Sequence, residues 1–166
     1  RNGENMKKIN ILIFIMLIFA FILTGCSGSK ASGVTEGVKV NKEDLKIGFV
    51  HYSDPSDQGY TYTHDSSTWK MAAALGIDKS QIINKYNVPD TAEAATAFRE
   101  LAEDGCQIIF STSHGHEDYL LEVAFEYPNV VFCHFSGVKA ASSGLSNVHN
   151  YFGDIAQVRY LSGVVA

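Results

Sequence analysis

The sequence is poor in basic residues, and this shortage excludes a class of partners. Its 166 residues contain 13 Lys and Arg against 18 Asp and Glu. Without residues 1–25, which hold Arg1, Glu4, Lys7 and Lys8, ten basic and seventeen acidic residues remain, a net charge of −7. An acidic domain without a basic stripe argues against binding to nucleic acid, and against electrostatic docking on anionic lipid.

Cysteine is also scarce, with three in the chain. Cys26 belongs to an export motif described below, while Cys106 opens one predicted strand and Cys133 lies late in another. If those strands are parallel neighbours, the two thiols are offset by several residues at about 3.3 Å each. That offset exceeds the Cα separation of about 4.4–6.8 Å that a disulfide requires. We therefore expect both to be free, buried thiols.

Known catalytic patterns are missing too. Thr112–His114 places a serine beside a histidine, but no G-x-S-x-G elbow surrounds it. The segment His114–Asp118 (HGHED) invites a metal assignment. In an extended loop, however, His114 and His116 would point to opposite sides, and no third His or Cys is clearly close. We expect no enzyme, no metal and no cofactor, with His116 and Glu117 solvated.

The first 44 residues have the composition of an export signal and a tether. We interpret residues 1–5 as an upstream artefact, since they precede the obvious start at Met6. Residues 6–25 form a signal peptide whose apolar run is shorter than the roughly 20 residues that comfortably span a bilayer. It ends in LTGC, a lipobox, so lipid on Cys26 is expected to hold the protein on the extracytoplasmic face of the cell membrane. Residues 26–44 are predicted to be a flexible tether.

Strands and helices alternate along residues 45–166. The predicted strands are Ile47–Val50, Gln81–Tyr86, Cys106–Thr112, Val130–Phe135 and Asn147–Tyr151. The predicted helices are Ser66–Leu75 ended by Gly76, a helix capped by Asp90 and running to Asp104, Tyr119–Glu126, and one starting in Asp154–Ala166. This spacing indicates βαβ units and a parallel sheet. Trp69 is expected to anchor the core beside Ala72 and Ala73, and His51 and His134 to be satisfied groups at its edge.

The last segment, Arg159–Ala166 (RYLSGVVA), is apolar and rich in small residues, with neither a C-cap nor a polar tail. It would leave an uncovered apolar helix. We interpret the sequence as a truncated fragment that carries one lobe of a two-lobe protein.

The richest set of binding groups lies in Lys46–Asp65 (KIGFVHYSDPSDQGYTYTHD). In an α/β sheet, the loop that leaves the first strand is where ligands are held. Aromatic faces with a carboxylate suit a flat, polar small molecule, although a Tyr-rich loop that only covers the edge of the core is the alternative. The predicted site at the strand ends comprises Tyr60, Tyr62, His64, Asp65, Ser113, His114, Asp118, Phe135, Ser136 and Asn150.

Three segments resemble the basic membrane protein (BMP) family, the substrate-binding lipoproteins of ABC transporters. The first is IGFVHYSDPSDQGYTYTHD, the second IIFSTSHGHEDYLLEVAFEYPNVVF and the third NYFGDIAQVRYLSGVVA. Their order and spacing follow the family pattern over nearly all of residues 46–166. The resemblance implies a periplasmic-binding-protein fold of type I, in which two Rossmann-like lobes close on a ligand held between their strand ends.

The resemblance also implies a ligand and partners. Purine nucleoside receptors of this family stack the base between aromatic rings and bind base and ribose through carboxylates, so a purine nucleoside is favoured. Asp118 matches the family Asp that follows the third strand. Tyr62, His64 and Asp65 match those members of the family whose aromatic-rich first loop ends in His-Asp. Many other members have Asn-Asp where this sequence has Tyr60-Thr61. ABC permease subunits are the expected partners. The alternative is a sensing lipoprotein that signals to a membrane receptor or regulator without transport, since both use the same lobe closure.

Overall fold

The computed structural model describes residues 39–166. The expectations for residues 1–5, for the signal peptide at 6–25, for the lipid on Cys26 and for most of the tether lie outside the described residues. Within 39–166, no helix combines the length and the apolar composition that crossing a membrane requires.

Five parallel strands form one sheet in the order β2-β1-β3-β4-β5. They are β1 Ile47–Val50, β2 Ile82–Lys85, β3 Ile108–Ser111, β4 Val131–Phe135 and β5 Val148–Tyr151. Ile47 pairs with Ile82 on one side and with Ile108 on the other, so β1 lies inside the sheet. All five predicted strands are present, four of them shorter than predicted, and the expected parallel α/β sheet is confirmed.

A helix lies in each connection between consecutive strands, as parallel pairing requires. The helices are α1 Tyr60–Leu75, α2 Ala92–Glu103, α3 Glu117–Glu126, α4 Ala140–Ser143 and, after the last strand, α5 Ala156–Val165. Short 3-10 turns occupy Lys42–Asp44, Pro55–Asp57, Lys79–Gln81 and His114–His116. Gly76 ends α1 in the left-handed conformation at φ 61°, as its place in the sequence predicts.

Apolar side chains cover both faces of the sheet. One cluster joins α2 and α3 to the sheet and includes the fully buried Phe98, Leu101, Ile109, Leu120, Val123 and Phe132. A second cluster packs α1 on the other face, where Ala72 and the half-buried Trp69 contact Ile47, Phe49 and Ile82. The core role predicted for Trp69 is confirmed, but its predicted companion Ala73 is exposed.

Two predicted helix starts are wrong because side chains before the helices accept different backbone hydrogen bonds than expected. α1 begins at Tyr60 rather than Ser66, since the Asp57 carboxylate accepts the N–H groups of Gly59, Thr61 and Tyr62 at 2.8–2.9 Å. α2 is capped by Thr91 rather than by Asp90. Asp90 is thereby free to make other contacts.

Two predicted loops also contain helical turns. The segment predicted as the loop Ser136–Ser146 includes α4, and Ser113–Asp118 includes the 3-10 turn and the start of α3 at Glu117. His116 and Glu117 are therefore buried rather than solvated. His114, on the same turn, is exposed.

The two cysteines in the described chain are free, as expected. Cys133 pairs with Phe110, four residues after Cys106, so the thiols are offset along neighbouring strands. Cys106 is buried and Cys133 half-buried, and burial raises the pKa of each thiol to about 11.

The close packing of β1 against α2 gives a testable prediction. A Cβ on Gly48 would lie 2.9 Å from Leu101 Cδ1 and 3.3 Å from Cys106 Sγ, both in the buried core. We expect Gly48→Ala to lower the free energy of unfolding by about 1–3 kcal/mol, the usual cost of overpacking, as measured by urea denaturation. In a Leu101→Val background the same change should cost less, because the clashing methyl is removed. Strictly additive effects in this double-mutant cycle would contradict the packing argument.

Candidate functional site

A cleft of about 550 Å³ lies at the carboxyl edge of the sheet. Residues at or beyond the carboxyl ends of all five strands line it: Tyr52, Tyr60, Asp90, Ser113, His114, Phe135, Ser136, Phe152, Ile155 and Arg159. The carboxyl ends of parallel strands are where open α/β sheets bind ligands. The volume falls within the range of about 300–1,000 Å³ typical of small-molecule sites.

One wall of the cleft is aromatic and is built around Phe135. The Phe135 ring centre lies 5.1 Å from that of Phe152 and 6.1 Å from that of Tyr60. Behind them, the His64 and Tyr151 rings lie 4.8 and 5.4 Å from Phe135 in edge-on arrangements. Rings at these separations support one another and leave Tyr60 and Phe152 exposed to the cleft.

The start of α1 holds Tyr60 in this wall. The Tyr60 hydroxyl donates a hydrogen bond to the carbonyl of Thr112, beyond the end of β3. At the other side of the turn, hydrogen bonds from Gly59, Tyr62 and Thr61 lower the pKa of Asp57 to about 2. Asp57 is thus a charged cap that fixes where the helix begins.

The polar part of the cleft lining is built around Asp90. Ser113 Oγ donates to Asp90 Oδ1 at 2.7 Å, and His116 Nε2 lies 3.2 Å from the same oxygen. The His116 ring is fully buried, whereas the Asp90 side chain is 40% exposed. Asp90 therefore presents a carboxylate to the cleft from a supported position.

His116 is a neutral support. Its Nε2 lies 3.0 Å from the Val88 carbonyl, which can only accept, so that nitrogen carries the proton. Nδ1 lies 3.2 Å from Ser111 Oγ and accepts from it. Burial lowers the pKa of His116, and this outweighs the attraction of Asp90.

A second buried polar group lies beneath the loop that follows β4. Glu117 accepts hydrogen bonds from Lys139 N at 2.8 Å and Asn150 Nδ2 at 3.2 Å. Burial raises the pKa of Glu117, but these hydrogen bonds and the nearby His134 outweigh it, so the pKa falls below its usual range. Any side chain at Gly137 would overlap Glu117, His134 and Asn150, which explains the glycine there.

The two core-edge histidines differ. His51 is satisfied as predicted, with Nε2 3.0 Å from Asn84 Oδ1 and Nδ1 3.3 Å from Thr112 Oγ1. His134 is fully buried, yet no group in the described part of the chain hydrogen-bonds either ring nitrogen, so that expectation is wrong. Burial lowers its pKa, and the Glu117 carboxylate opposes this shift.

Comparison with known proteins identifies the family. Residues 44–166 match the family described as ABC transporter substrate-binding protein, PnrA-like (Bmp). The chain belongs to this family. The predicted resemblance to the BMP family is therefore confirmed.

Two curated relatives and one solved structure are similar to this member of the PnrA-like family. A purine-binding protein of Brucella abortus is 36% identical over 125 residues, covering 75% of this chain and 34% of its own length. A Haloferax volcanii protein that carries the name of an ABC transporter glucose-binding protein is 27% identical over 131 residues, covering 79% and 30%. The chain thus spans about a third of the length of these relatives.

The solved structure is an ABC transporter solute-binding protein from Conexibacter woesei. It superposes with a TM-score of 0.61 at 21% identity, covering 74% of this chain and 39% of that one. This likeness concerns the fold, and it agrees with the predicted binding-protein lobe.

Five of the ten residues predicted for the site of this PnrA-like protein line the cleft. These are Tyr60, Ser113, His114, Phe135 and Ser136. His64 supports the aromatic wall from behind, through Tyr60 and Phe135. Tyr62 lies on α1 with 52% of its surface exposed and does not line the cleft.

The other three predicted residues make structural contacts outside the cleft. Asp65 accepts from Trp69 Nε1 at 3.1 Å and from the Tyr86 hydroxyl, which ties α1 to the end of β2. Asn150 accepts from Ala140 N at 2.8 Å and donates to Glu117. Asp118 has 71% of its side chain exposed and pairs with Lys139.

Five lining residues are not among those predicted for the site: Tyr52, Asp90, Phe152, Ile155 and Arg159. Tyr52 and Asp90 follow the first two strands, so the rule that ligands meet strand ends would have included them. The sequence pattern instead predicts a helix cap at Asp90. No cation-binding arrangement of three or more His, Cys, Asp or Glu exists among residues 39–166.

The cap on α1 gives a prediction about pH. The pKa of Asp57 is lowered from 3.8 to about 2 on folding, so its charge stabilises the fold above pH 4 and loses this effect as the pH falls towards 2. Asp57→Asn should therefore lower the free energy of unfolding at pH 7, and its difference from the unaltered protein should shrink between about pH 4 and pH 2. Chemical denaturation across this range measures it.

Glu43→Gln is the matched control, because Glu43 is exposed and accepts no hydrogen bond from residues 39–166. It should follow the unaltered protein at every pH. An Asp57→Asn deficit of constant size down to pH 2 would show that the carboxylate charge does not cap the helix.

Proposed function

We propose that this protein is the membrane-anchored, extracytoplasmic substrate-binding component of an ABC importer, and that it binds a purine nucleoside. The observation that supports this ligand is the cleft, whose lining combines an aromatic wall with a supported carboxylate at the strand ends. A flat ring with polar edges complements both. Each aromatic contact of this kind contributes about 0.5–1.5 kcal/mol beyond area burial.

The relatives favour a purine over a sugar. The relative named as purine-binding is 36% identical, and the one named for glucose is 27% identical, over similar lengths of this chain. The exposed rings of Tyr60 and Phe152 both lie beside Phe135, so the wall offers more than one aromatic face to a fused base.

We propose that a second lobe, beyond the third of the relatives' length that this chain spans, completes the site. The helix α5 supports this, since Val158, Leu161, Val164 and Val165 are all exposed in the described structure. Closure of two lobes on the ligand would give a permease a ligand-dependent surface to recognise.

The anchor is also part of the proposal. The lipobox at residues 23–26 supports lipid attachment to Cys26, which would keep the cleft outside the cell beside the permease subunits. The composition of residues 27–37 supports the predicted tether. The binding roles of Tyr62, Asp65, Asp118 and Asn150 stay predictions from the sequence.

A thermal-shift screen of the whole protein, expressed without residues 1–26, tests the ligand. Adenosine, guanosine and inosine are compared with nucleobases, sugars and amino acids. A ligand present at 100 times its Kd should stabilise the protein by about 2.7 kcal/mol, which is an easily measured shift. We expect a purine nucleoside to give that shift. If no nucleoside acts but a sugar or an amino acid does, the ligand proposal is wrong.

The stacking wall is tested by Phe135→Leu, which keeps apolar bulk but removes the aromatic face. We expect nucleoside affinity, measured by titration calorimetry, to fall about three- to tenfold, the equivalent of one lost aromatic contact. Phe125→Leu is the control, because Phe125 lies on α3 with 77% of its surface exposed and outside the cleft. Equal affinities for the two variants would contradict a stacking role for Phe135.

A further inference from the structure

The charge distribution of the cleft is uneven. Asp90 is the only carboxylate among the lining residues in the described chain, and it lies among rings, hydroxyl groups and one exposed guanidinium, that of Arg159. A carboxylate in the lining would accept hydrogen bonds from a ligand and would repel negative charge on it. The family comparison and the predicted site assign it no role.

The Asp90 carboxylate is held from three directions. Ser113 Oγ donates to Oδ1 at 2.7 Å, and the buried His116 ring presents Nε2 to the same oxygen at 3.2 Å. On the third side Gly115 packs so closely that an added Cβ would overlap the carboxyl group. Gly115 has no positive φ, so this close approach is what requires a glycine there.

The contacts leave one oxygen free. Within residues 39–166, Oδ1 carries all the hydrogen bonds and the close histidine contact of Asp90. Oδ2 accepts none, and it lies beside Gly115, where an added Cβ would be 2.5 Å from it. An ionised carboxylate has about four lone-pair positions, so Asp90 retains most of its capacity to accept. Asp90 lines the cleft and 40% of its side chain is exposed, so a ligand can reach the carboxylate on the side away from Gly115.

We propose that Asp90 is the specificity-determining residue of the cleft. Its free oxygen accepts hydrogen bonds from donor groups of an uncharged ring ligand, either the amino and N–H groups of a base or the hydroxyl groups of a sugar. Its negative charge rejects ligands that carry a phosphate or carboxylate at that place. This inference rests on the proposed function, and it selects nucleosides over nucleotides.

Two variants separate the charge of Asp90 from its position. Asp90→Asn keeps the shape and removes the charge, so adenosine affinity should fall about ten- to a hundredfold and discrimination against adenosine 5′-monophosphate should shrink. Gly115→Ala displaces the carboxylate and keeps the charge, so adenosine affinity should fall while discrimination persists. Glu93→Gln, an exposed acid on the first turn of α2, makes the same charge change outside the cleft and should alter neither.

Titration calorimetry on the whole protein without residues 1–26 measures both quantities, and thermal unfolding of each variant shows that it is folded. Adenine and 2′,3′-dideoxyadenosine locate the contact. If Asp90→Asn weakens adenine as much as adenosine, the base donates to Asp90. If dideoxyadenosine is insensitive to the change, the sugar donates.

The possible failures are distinguishable. If the unaltered protein binds adenosine and Asp90→Asn leaves both affinity and discrimination within twofold, this inference is overturned and the proposed function stands. If the unaltered protein binds no purine nucleoside, the proposed function fails and takes the inference with it.

Discussion

Backbone hydrogen bonds that continue past the carboxyl ends of the strands hold the cleft together. His51 N donates to the Lys85 carbonyl at 2.8 Å, Thr112 N to Val50 at 3.1 Å, and Ser136 N to Tyr151 at 2.9 Å. These bonds extend the sheet into the loops, so the lining residues begin on rigid backbone. A binding site built on such extensions is positioned by the sheet itself, and apolar packing on both faces of the sheet fixes the strands.

The aromatic wall depends on where the chain changes from turn to helix at the start of α1. The Asp-Pro and Gln-Gly pairs of this segment favour turns, and the segment does turn through Pro55–Asp57. Asp57 then satisfies the N–H groups of Gly59, at the N-cap, and of Thr61 and Tyr62 in the first turn, which makes helix more favourable than loop from Tyr60 onward. The helix places Tyr60 and His64 on one face, one turn apart, where both contact Phe135. Tyr62 then lies elsewhere on the helix surface.

The fold could be predicted from sequence because short apolar runs between helical patterns have one common solution, a parallel sheet covered on both faces. Residues that line the cleft could be predicted where strand ends decide their place, as for Ser113 and Phe135. Sequence could not predict the placement of polar side chains whose partners are distant in the chain. Asp65 is held by Tyr86, and Asp118 by Lys139, about twenty residues away in each case. No local pattern reports such pairings. The first turns the Asp65 carboxylate towards Tyr86, and the second gives the exposed Asp118 a partner on the surface.

The kind of group that supports Asp90 decides how much of its charge is available. A buried lysine or arginine at the place of His116 would form an ion pair and neutralise the carboxylate. Burial instead lowers the pKa of His116, so a neutral ring lies behind Asp90 and its Nε2 proton is already shared with the Val88 carbonyl. The carboxylate is then oriented by Ser113 and by close packing while its negative charge remains directed at the cleft. A neutral support can thus hold an acidic group in place without reducing its ability to discriminate between ligands.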